Sequence, residues 1–509
     1  MAKTVAFLAL LLSLVPFASA QSNVPDVYDV LPYSAILQSG PLAGTVASVT
    51  SYNGTSCSLP GMCNSLNNPS NFKAQGGIFG LASSLNGSIA TALSVIPLAS
   101  PASGVITKID PATGAELPSS SSLGPIFTER AETIGKHKFY IGLSNQDFRF
   151  TSLNGQSLNS LTMLDTGGVP TTIQGNGQTL TTFPATVNVA MDVRLSQNVA
   201  FLTYGVTGRF DVSVGLPLVH AAVSSRTYNG LIYVGDGMGD QEGILNCWCT
   251  NTFTPGVQPD GKTGSGLILS QIGYSGFSKT GFGDMLLRFK GNVLEGGKVA
   301  LALGADLRLP TGDEHNFLGT GAVAVKPFAA LSLYTKPWSN GIVFSPHINV
   351  GWQFAGKSIL GGGITGGTAV TSPNGVSAPA PPFTSTKDYL PDVFSWAVGS
   401  EVAFGRHNTV VVDVLGNQIG WIHGIQNMTT GSVQNVPFPQ MTKNPQAPLV
   451  TATGLTNAGH VSFGQYSGAF GYKALLAGNL VATLNALVRF DNNGLTARVT
   501  PLVGLSYTF

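Results

Sequence analysis

Residues 495–509, LTARVTPLVGLSYTF, end the chain in near-strict alternation. Leu495, Ala497, Val499, Pro501, Val503, Leu505, Tyr507 and Phe509 fall on one face, and Thr496, Arg498, Thr500, Ser506 and Thr508 fall on the other. Successive side chains of a strand point to opposite faces, so one face suits hydrocarbon and the other suits water. The segment before it behaves the same way. Leu480, Ala482, Leu484, Ala486, Val488 and Phe490 oppose Asn479, Thr483, Asn485 and Arg489, and the turn-rich Asp491-Asn492-Asn493-Gly494 joins the two. Segments 209–216, 284–290, 298–309 and 394–404 repeat the pattern. A soluble β-sandwich with one buried face would alternate equally well, so alternation alone does not choose the fold.

Connection lengths choose better. The pattern predicts about twelve strands, near 136–152, 185–206, 209–224, 278–292, 297–309, 321–335, 341–355, 390–404, 408–421, 460–474, 477–490 and 495–509. The links between them alternate long (153–184, 225–277, 310–320, 356–389, 422–459) and short (Thr207-Gly208, 293–296, 336–340, 405–407 and a pair near Leu475). Outer-membrane barrels pair short periplasmic turns with long outer loops, whereas a sandwich has no reason to sort its loops. The expected fold is therefore all-β, an antiparallel transmembrane β-barrel of about twelve strands over residues 136–509. Tyr204, Phe210, Trp338, Phe404, Tyr507 and Phe509 fall where the periplasmic aromatic girdle belongs.

Composition agrees. Only 10% of the 509 residues are charged, the net charge is +1, and 64 are glycine. Such a surface is too uncharged for an ordinary soluble protein of this length and too neutral for nucleic acid. Beyond the amino terminus no apolar run reaches the roughly 18 residues of a membrane helix. Lys3, the apolar Val5–Val15 and Ala18-Ser19-Ala20 read as a signal peptide, residues 1–20, cut before Gln21. Export suits structural disulfides among Cys57, Cys63, Cys247 and Cys249, with the pairing open. The Cys247-Trp248-Cys249 spacing has no histidine beside it, and the other histidines are scattered, so neither a metal site nor a cofactor is expected.

Residues 21–135 precede the barrel. Within them 76–96 is apolar and small with little periodicity, and 100–125 is a Pro/Ser/Gly-rich linker. The extension reads either as a plug folded into the lumen or as a periplasmic segment. Asp192, Arg194, Arg209, Asp211, Asp284, Arg288, Lys290, Asp306, Arg308, Glu401, Asp413, Arg489 and Arg498 are expected on the inward face, as a pore lining of mixed sign that pairs within the lumen. In the loop after Pro310, Thr311, Gly312, Asp313 and Glu314 form a turn, and with Asn316 the two carboxylates offer a Ca²⁺ reading. Solvation of the turn is the simpler one.

Several stretches resemble a known family. They are Gly281–Phe289 (GFGDMLLRF), Leu307–Gly321 (LRLPTGDEHNFLGTG), Thr133–Lys136 (TIGK), Phe150–Gly155 (FTSLNG) and Tyr204–Asp211 (YGVTGRFD). Together they resemble the outer-membrane barrels of the family named for the MetA pathway of phenol degradation. That resemblance covers roughly residues 130–509. It implies passage of small hydrophobic or aromatic molecules across the outer membrane of a Gram-negative-type bacterium, the solute itself being unknown. The alternative function is a structural or adhesive barrel that displays loops without an open pore. The ending at Leu505, Tyr507 and Phe509 resembles the carboxy-terminal signal of bacterial outer-membrane proteins, which implies outer-membrane lipids and the barrel assembly machinery as partners. His460-Val461-Ser462 has a spacing similar to the outer-membrane phospholipase family. No orienting Asn or Asp motif follows, and a nucleophile needs its base and orienter, so no enzyme is expected.

Overall fold

The computed structural model describes residues 51–52, 55–56, 75–97, 107–109, 116–118, 122–165, 170–172, 179–234, 265–269, 273–296, 298–335, 338, 342–371, 377–405, 407–430 and 452–509. The signal segment, most of the linker and the four cysteines lie outside these residues.

Twelve strands close into one antiparallel barrel. They are β1 (Phe139–Phe150), β2 (Thr179–Thr207), β3 (Phe210–Val234), β4 (Gly273–Phe282 continued by Met285–Glu295), β5 (Val299–Leu309) and β6 (Ala324–Leu333). The second half comprises β7 (Ile342–Ala355), β8 (Val393–Phe404), β9 (Asn408–Thr430), β10 (Ala452–Ala477), β11 (Leu480–Arg489) and β12 (Val499–Thr508). Each pairs with the next, and β12 returns to β1 through Leu505↔Leu143 and Tyr507↔Ile141. Closure removes the sheet edge, which hydrocarbon would not tolerate. Among the described residues no helix is long and apolar enough to cross a membrane.

The alternation sorts as membrane chemistry requires. Outward, β7 exposes Phe344, Ile348, Val350, Trp352 and Phe354; β9 exposes Val412 and Val414; β12 exposes Val499, Val503, Leu505 and Tyr507. Inward, the same strands bury Ser345, His347, Gln353, Thr409, Asp413, Thr500, Ser506 and Thr508. Aromatic side chains collect at both rims. At the short-turn rim Tyr204 lies 4.7 Å from Phe139 and Tyr507 lies 4.6 Å from Phe509, centroid to centroid; at the other rim Trp352 meets Phe394 at 5.7 Å.

Two strand expectations need correction. β2, β3, β9 and β10 run several residues further into the outer loops than their alternation indicates, because outside the bilayer a hairpin ladder needs no lipid-facing stripe. The last strand starts at Val499, not Leu495: Leu495 and Thr496 pair with Leu153 and Ser152, and Leu495 joins the lumenal apolar cluster.

Inside the barrel lies a helix, α1 (Gln75–Val95). Leu85, Ile89, Ala92 and Leu93 bury against Phe148, Phe150, Met191, Val193, Ile359 and Leu360. Almost every described position of the helix is buried, polar Ser83, Ser84, Asn86 and Thr91 included. A helix surrounded on all sides has no wet face, which is why residues 76–96 show so little periodicity.

Candidate functional site: the lumen and the segment that crosses it

Between the linker and β1, residues 122–135 (SLGPIFTERAETIG) cross the barrel at its short-turn end. The segment forms no helix and pairs with no strand, so its backbone groups must find other partners. The wall supplies them. Leu123 N donates to Thr409 Oγ1 (3.0 Å), Gly124 N to Glu401 Oε2 (3.1 Å), Phe127 N to Asp413 Oδ2 (3.1 Å), Glu129 N to Asn349 Oδ1 (2.6 Å), Ala131 N to Ser332 Oγ (2.9 Å) and Ile134 N to Asp211 Oδ2 (2.9 Å). In the other direction Lys473 Nζ donates to Pro125 O (2.6 Å), Lys290 Nζ to Glu132 O (2.7 Å) and Asn292 Nδ2 to Ala131 O (2.9 Å). The partners come from β3, β4, β6, β7, β8, β9 and β10, so the segment is a strap fastened around most of the circumference.

Charge pairs lock it further. Arg130 donates Nε and Nη2 to the two oxygens of Glu401 (2.9 and 2.6 Å), and His347 Nε2 lies 2.7 Å from Glu401 Oε1. Ser332 Oγ, which takes the Ala131 N–H, also contacts His347 Nδ1 at 2.9 Å. Glu129 receives Lys290 Nζ and Arg288 Nη1, both at 2.8 Å, and Arg288 grips Asp306 with Nε and Nη2 (2.6 and 2.8 Å). Arg130 is 1% exposed and Glu401 0%, so each ion depends on the other to offset lost hydration.

Packing follows the same path. Ile126 meets Val411 and Leu502; Ala131 meets Ala300, Ala302 and Ala330; Ile134 meets Tyr140, Val199 and Phe201. Where the strap leaves the lumen, His137 N donates to Gly205 O (2.7 Å). A Cβ on Gly205 would sit 1.7 Å from Gly135 O. Gly205→Ala should therefore dislodge the strap exit without touching the belt, visible as new protease cleavage near residue 135 in an otherwise folded barrel; unchanged resistance would contradict this contact.

Above the strap, the C-terminal end of α1 leaves space. Arg308 Nη1 donates to Leu93 O (3.3 Å) and Gln146 Nε2 to Pro97 O (3.0 Å), cationic and polar caps of the kind a helix C-terminus favours. A cavity of about 150 Å³ lies between residues 94–97, the strap and the wall of β4–β9. Phe127, Leu286, Phe328 and Leu415 give it apolar surface, while Arg288, Arg308, Lys326 and Asp306 give it charge. A smaller space of about 60 Å³ lies on the other side of 95–97, against Phe148, Phe150 and Leu487.

The residues expected to line a pore divide into groups. Asp211, Arg288, Asp306, Arg308, Glu401 and Asp413 do face inward, where they bind the strap, the helix end or one another. Arg489 pairs with Asp491 (3.2 Å) near the outer rim and borders the smaller cavity. Asp192 and Arg194 point outward instead, pairing at 2.8 Å with side chains half exposed. On β2 the odd residues Val189, Met191, Val193 and Leu195 turn inward against the apolar cluster around α1. Along this stretch the barrel is oily inside and polar outside, so the polarity pattern inverts while the strand continues. Arg209 sits exposed in the Thr207–Phe210 turn, and Arg498 is exposed ahead of β12.

Asp284 is also not lumenal. It accepts from Gly312 N (3.1 Å) and from Thr320 N (2.7 Å) and Oγ1 (2.6 Å), folding the loop that carries the Pro310–Gly321 motif. A Cβ at Gly319 would collide with Asp284, and one at Gly321 with Glu314. The glycines thus allow a tightly folded loop. Thr311 Oγ1 donates to Gly283 O (2.7 Å); Asp313 caps the 314–316 turn, accepting from His315 N (3.0 Å) and Asn316 Nδ2 (2.7 Å). Glu314 accepts from Ser358 Oγ (2.8 Å) and pairs with Lys387 (3.2 Å). These oxygens serve the loop's own bonds, against the Ca²⁺ reading. Ser462 Oγ donates to Ile419 O (2.7 Å), so its proton goes to a strand carbonyl rather than to a histidine.

Sequence reasoning missed the strap's own anchors, Glu129, Arg130 and Glu132, and the neutral wall partners Asn292, Ser332, Asn349 and Thr409. The first group carried a signal: TERAE is a dense charge cluster in a chain that has few charges. The second lies at inward positions of alternating strands, where period alone is the signal that could have found them.

No family model matches the sequence, and no curated protein matches it. Among solved structures, the chain is similar to an outer membrane channel from Pseudomonas putida F1, with a TM-score of 0.36 and 10% identity over 74% of this chain and 98% of that one. It is similar to the toluene transporter of Ralstonia pickettii, with a TM-score of 0.28 and 11% identity over 74% and 90%. The translocator domain of the autotransporter NalP from Neisseria meningitidis gives a TM-score of 0.28 and 8% identity over 74% and 89%. These likenesses concern barrel form; the site is described from this chain's own residues.

Proposed function

We propose that the chain is an outer-membrane channel for small hydrophobic or aromatic molecules, and that α1 and the strap act as its plug. The cavity between them carries the reading. An apolar cavity of roughly 150 Å³ is large enough for a benzene-sized guest, and this one, about 150 Å³, adds Arg308 and Lys326 beside Phe328 and Phe127. An aromatic ring bearing an oxygen substituent suits that mixture, because the ring takes the apolar side while cations meet the oxygen. Passage requires the strap or the helix to shift, since together they occupy the lumen.

In planar bilayers the purified protein should conduct small ions in brief openings. Small phenols should reduce that current, and Phe127→Ala should weaken the block several-fold. Bilayers that stay silent with wild-type protein and with strap variants would favour the second reading, a display barrel without an open pore. That reading draws on the strap's bonds to seven strands.

A further inference from the structure

The outer hairpins hold ligating side chains that a channel does not use. His423 on β9 and His460 on β10 face each other directly across the ladder, with ring centroids 4.5 Å apart. Asp388, from the connection between β7 and β8, places Oδ2 3.8 Å from His423 Nε2. One ligand atom from each of the three lies within 4.8 Å of the others. Register shifts flank the pair, between Ile419 and Ile422 and between Gly424 and Ile425, with Gly459 at φ 70°. Bulges re-aim side chains, and here both imidazoles meet beside the loop. Asp388 is fixed in turn: it pairs with Ser358 in a short ladder, and its Oδ1 accepts from Tyr389 N (2.8 Å). The neighbouring cations are engaged elsewhere, Lys387 with Glu314 at 3.2 Å and Lys357 over the Tyr389 ring at 4.9 Å.

We propose that Asp388, His423 and His460 bind a divalent transition ion of the Zn²⁺ class. Two imidazoles and one carboxylate make a common zinc donor set, which leaves a fourth position for water. Zinc–ligand bonds of about 2.0–2.2 Å put tetrahedral donor atoms about 3.3 Å apart. Small side-chain rotations bring these three that close, and their partial exposure lets the ion enter. No metal motif is visible in the sequence because the ligands come from three separate outer segments. The consequence is mechanical. The 359–364 stretch of the same loop packs on α1, and Gly87 of α1 lies where a Cβ would stand 3.1 Å from His423 O. A bound ion would staple loop to wall beside the helix, whether or not the barrel conducts.

Isothermal titration of ZnCl₂ into full-length, tag-free protein in detergent tests this. One ion should bind per chain. Loss of even an outer-shell partner weakens metal sites by about 10–100-fold, so His423→Ala and His460→Ala should each lower affinity about tenfold or more, and Asp388→Asn by less. His460→Gln, which keeps the side-chain volume, should weaken binding as His460→Ala does. His220→Ala, on an exposed face elsewhere, should leave binding unchanged. No binding at millimolar Zn²⁺, binding unaffected by all three ligand substitutions, or binding abolished by His220→Ala would each overturn the proposal.

Discussion

Glu401→Ala should free the strap and open the lumen while leaving the barrel closed. Three groups make four contacts with this carboxylate: Arg130 with two bonds, the Gly124 N–H and His347. Removing one member of a buried ion pair costs about 3–5 kcal/mol, because its partner stays desolvated. The barrel's ladders do not pass through this residue's side chain, so the cost falls on strap binding. Ion conductance should rise several-fold, and periplasmic-side protease should cut within 122–135, while the unboiled protein still migrates as a folded barrel. Glu401→Gln keeps the shape and one acceptor and should fall between wild type and alanine. Conductance and protease resistance both unchanged in Glu401→Ala would mean that Glu401 is not an anchor of the strap.

The second large effect belongs to the exterior. Val412 lies outward on β9 between Val410 and Val414 and is 46% exposed. An arginine on the lipid face costs about 2–4 kcal/mol at the bilayer midplane and about 0–1 near the interface. Val412→Arg should therefore deplete the folded, heat-modifiable band, with midpoint shifts in urea refolding into lipid vesicles that report the difference. Asp192→Arg, outward on β2 but beyond the belt, loses only an exposed pair with Arg194, worth about 0–1 kcal/mol, and should refold like wild type. Equal tolerance at both positions would place β9 in water.

How far the sequence was legible depended on which solvent each face meets. Within the belt, Val499 to Phe509 and Leu480 to Phe490 alternate because one face is lipid and the other lumen, and the strands lie where that pattern puts them. Beyond the belt the contrast reverses. Asp192 and Arg194 look like lumenal residues by polarity but face outside water, while Met191 and Val193 face α1. The helix itself was hidden by being buried on all sides. The strap was hidden differently: an irregular segment bonded by side chains has no period at all. Its counterparts were visible singly, as Asp211, Glu401 and Asp413, but nothing local says that they accept from the backbone N–H groups of Ile134, Gly124 and Phe127. Asp284, likewise, is polar for its loop and not for a pore.

The most direct test of a barrel closed by its own amino-terminal strap is a lumenal cross-link. Ala131 N lies 2.9 Å from Ser332 Oγ, close enough for cysteines at the two positions to bridge. With the four native cysteines replaced by serine, Ala131→Cys/Ser332→Cys should oxidise nearly completely in intact outer membranes. The product should keep heat-modifiable migration and lose ion current until reduced. A folded barrel in which these cysteines stay free, or in which bridging leaves the current untouched, would contradict the account.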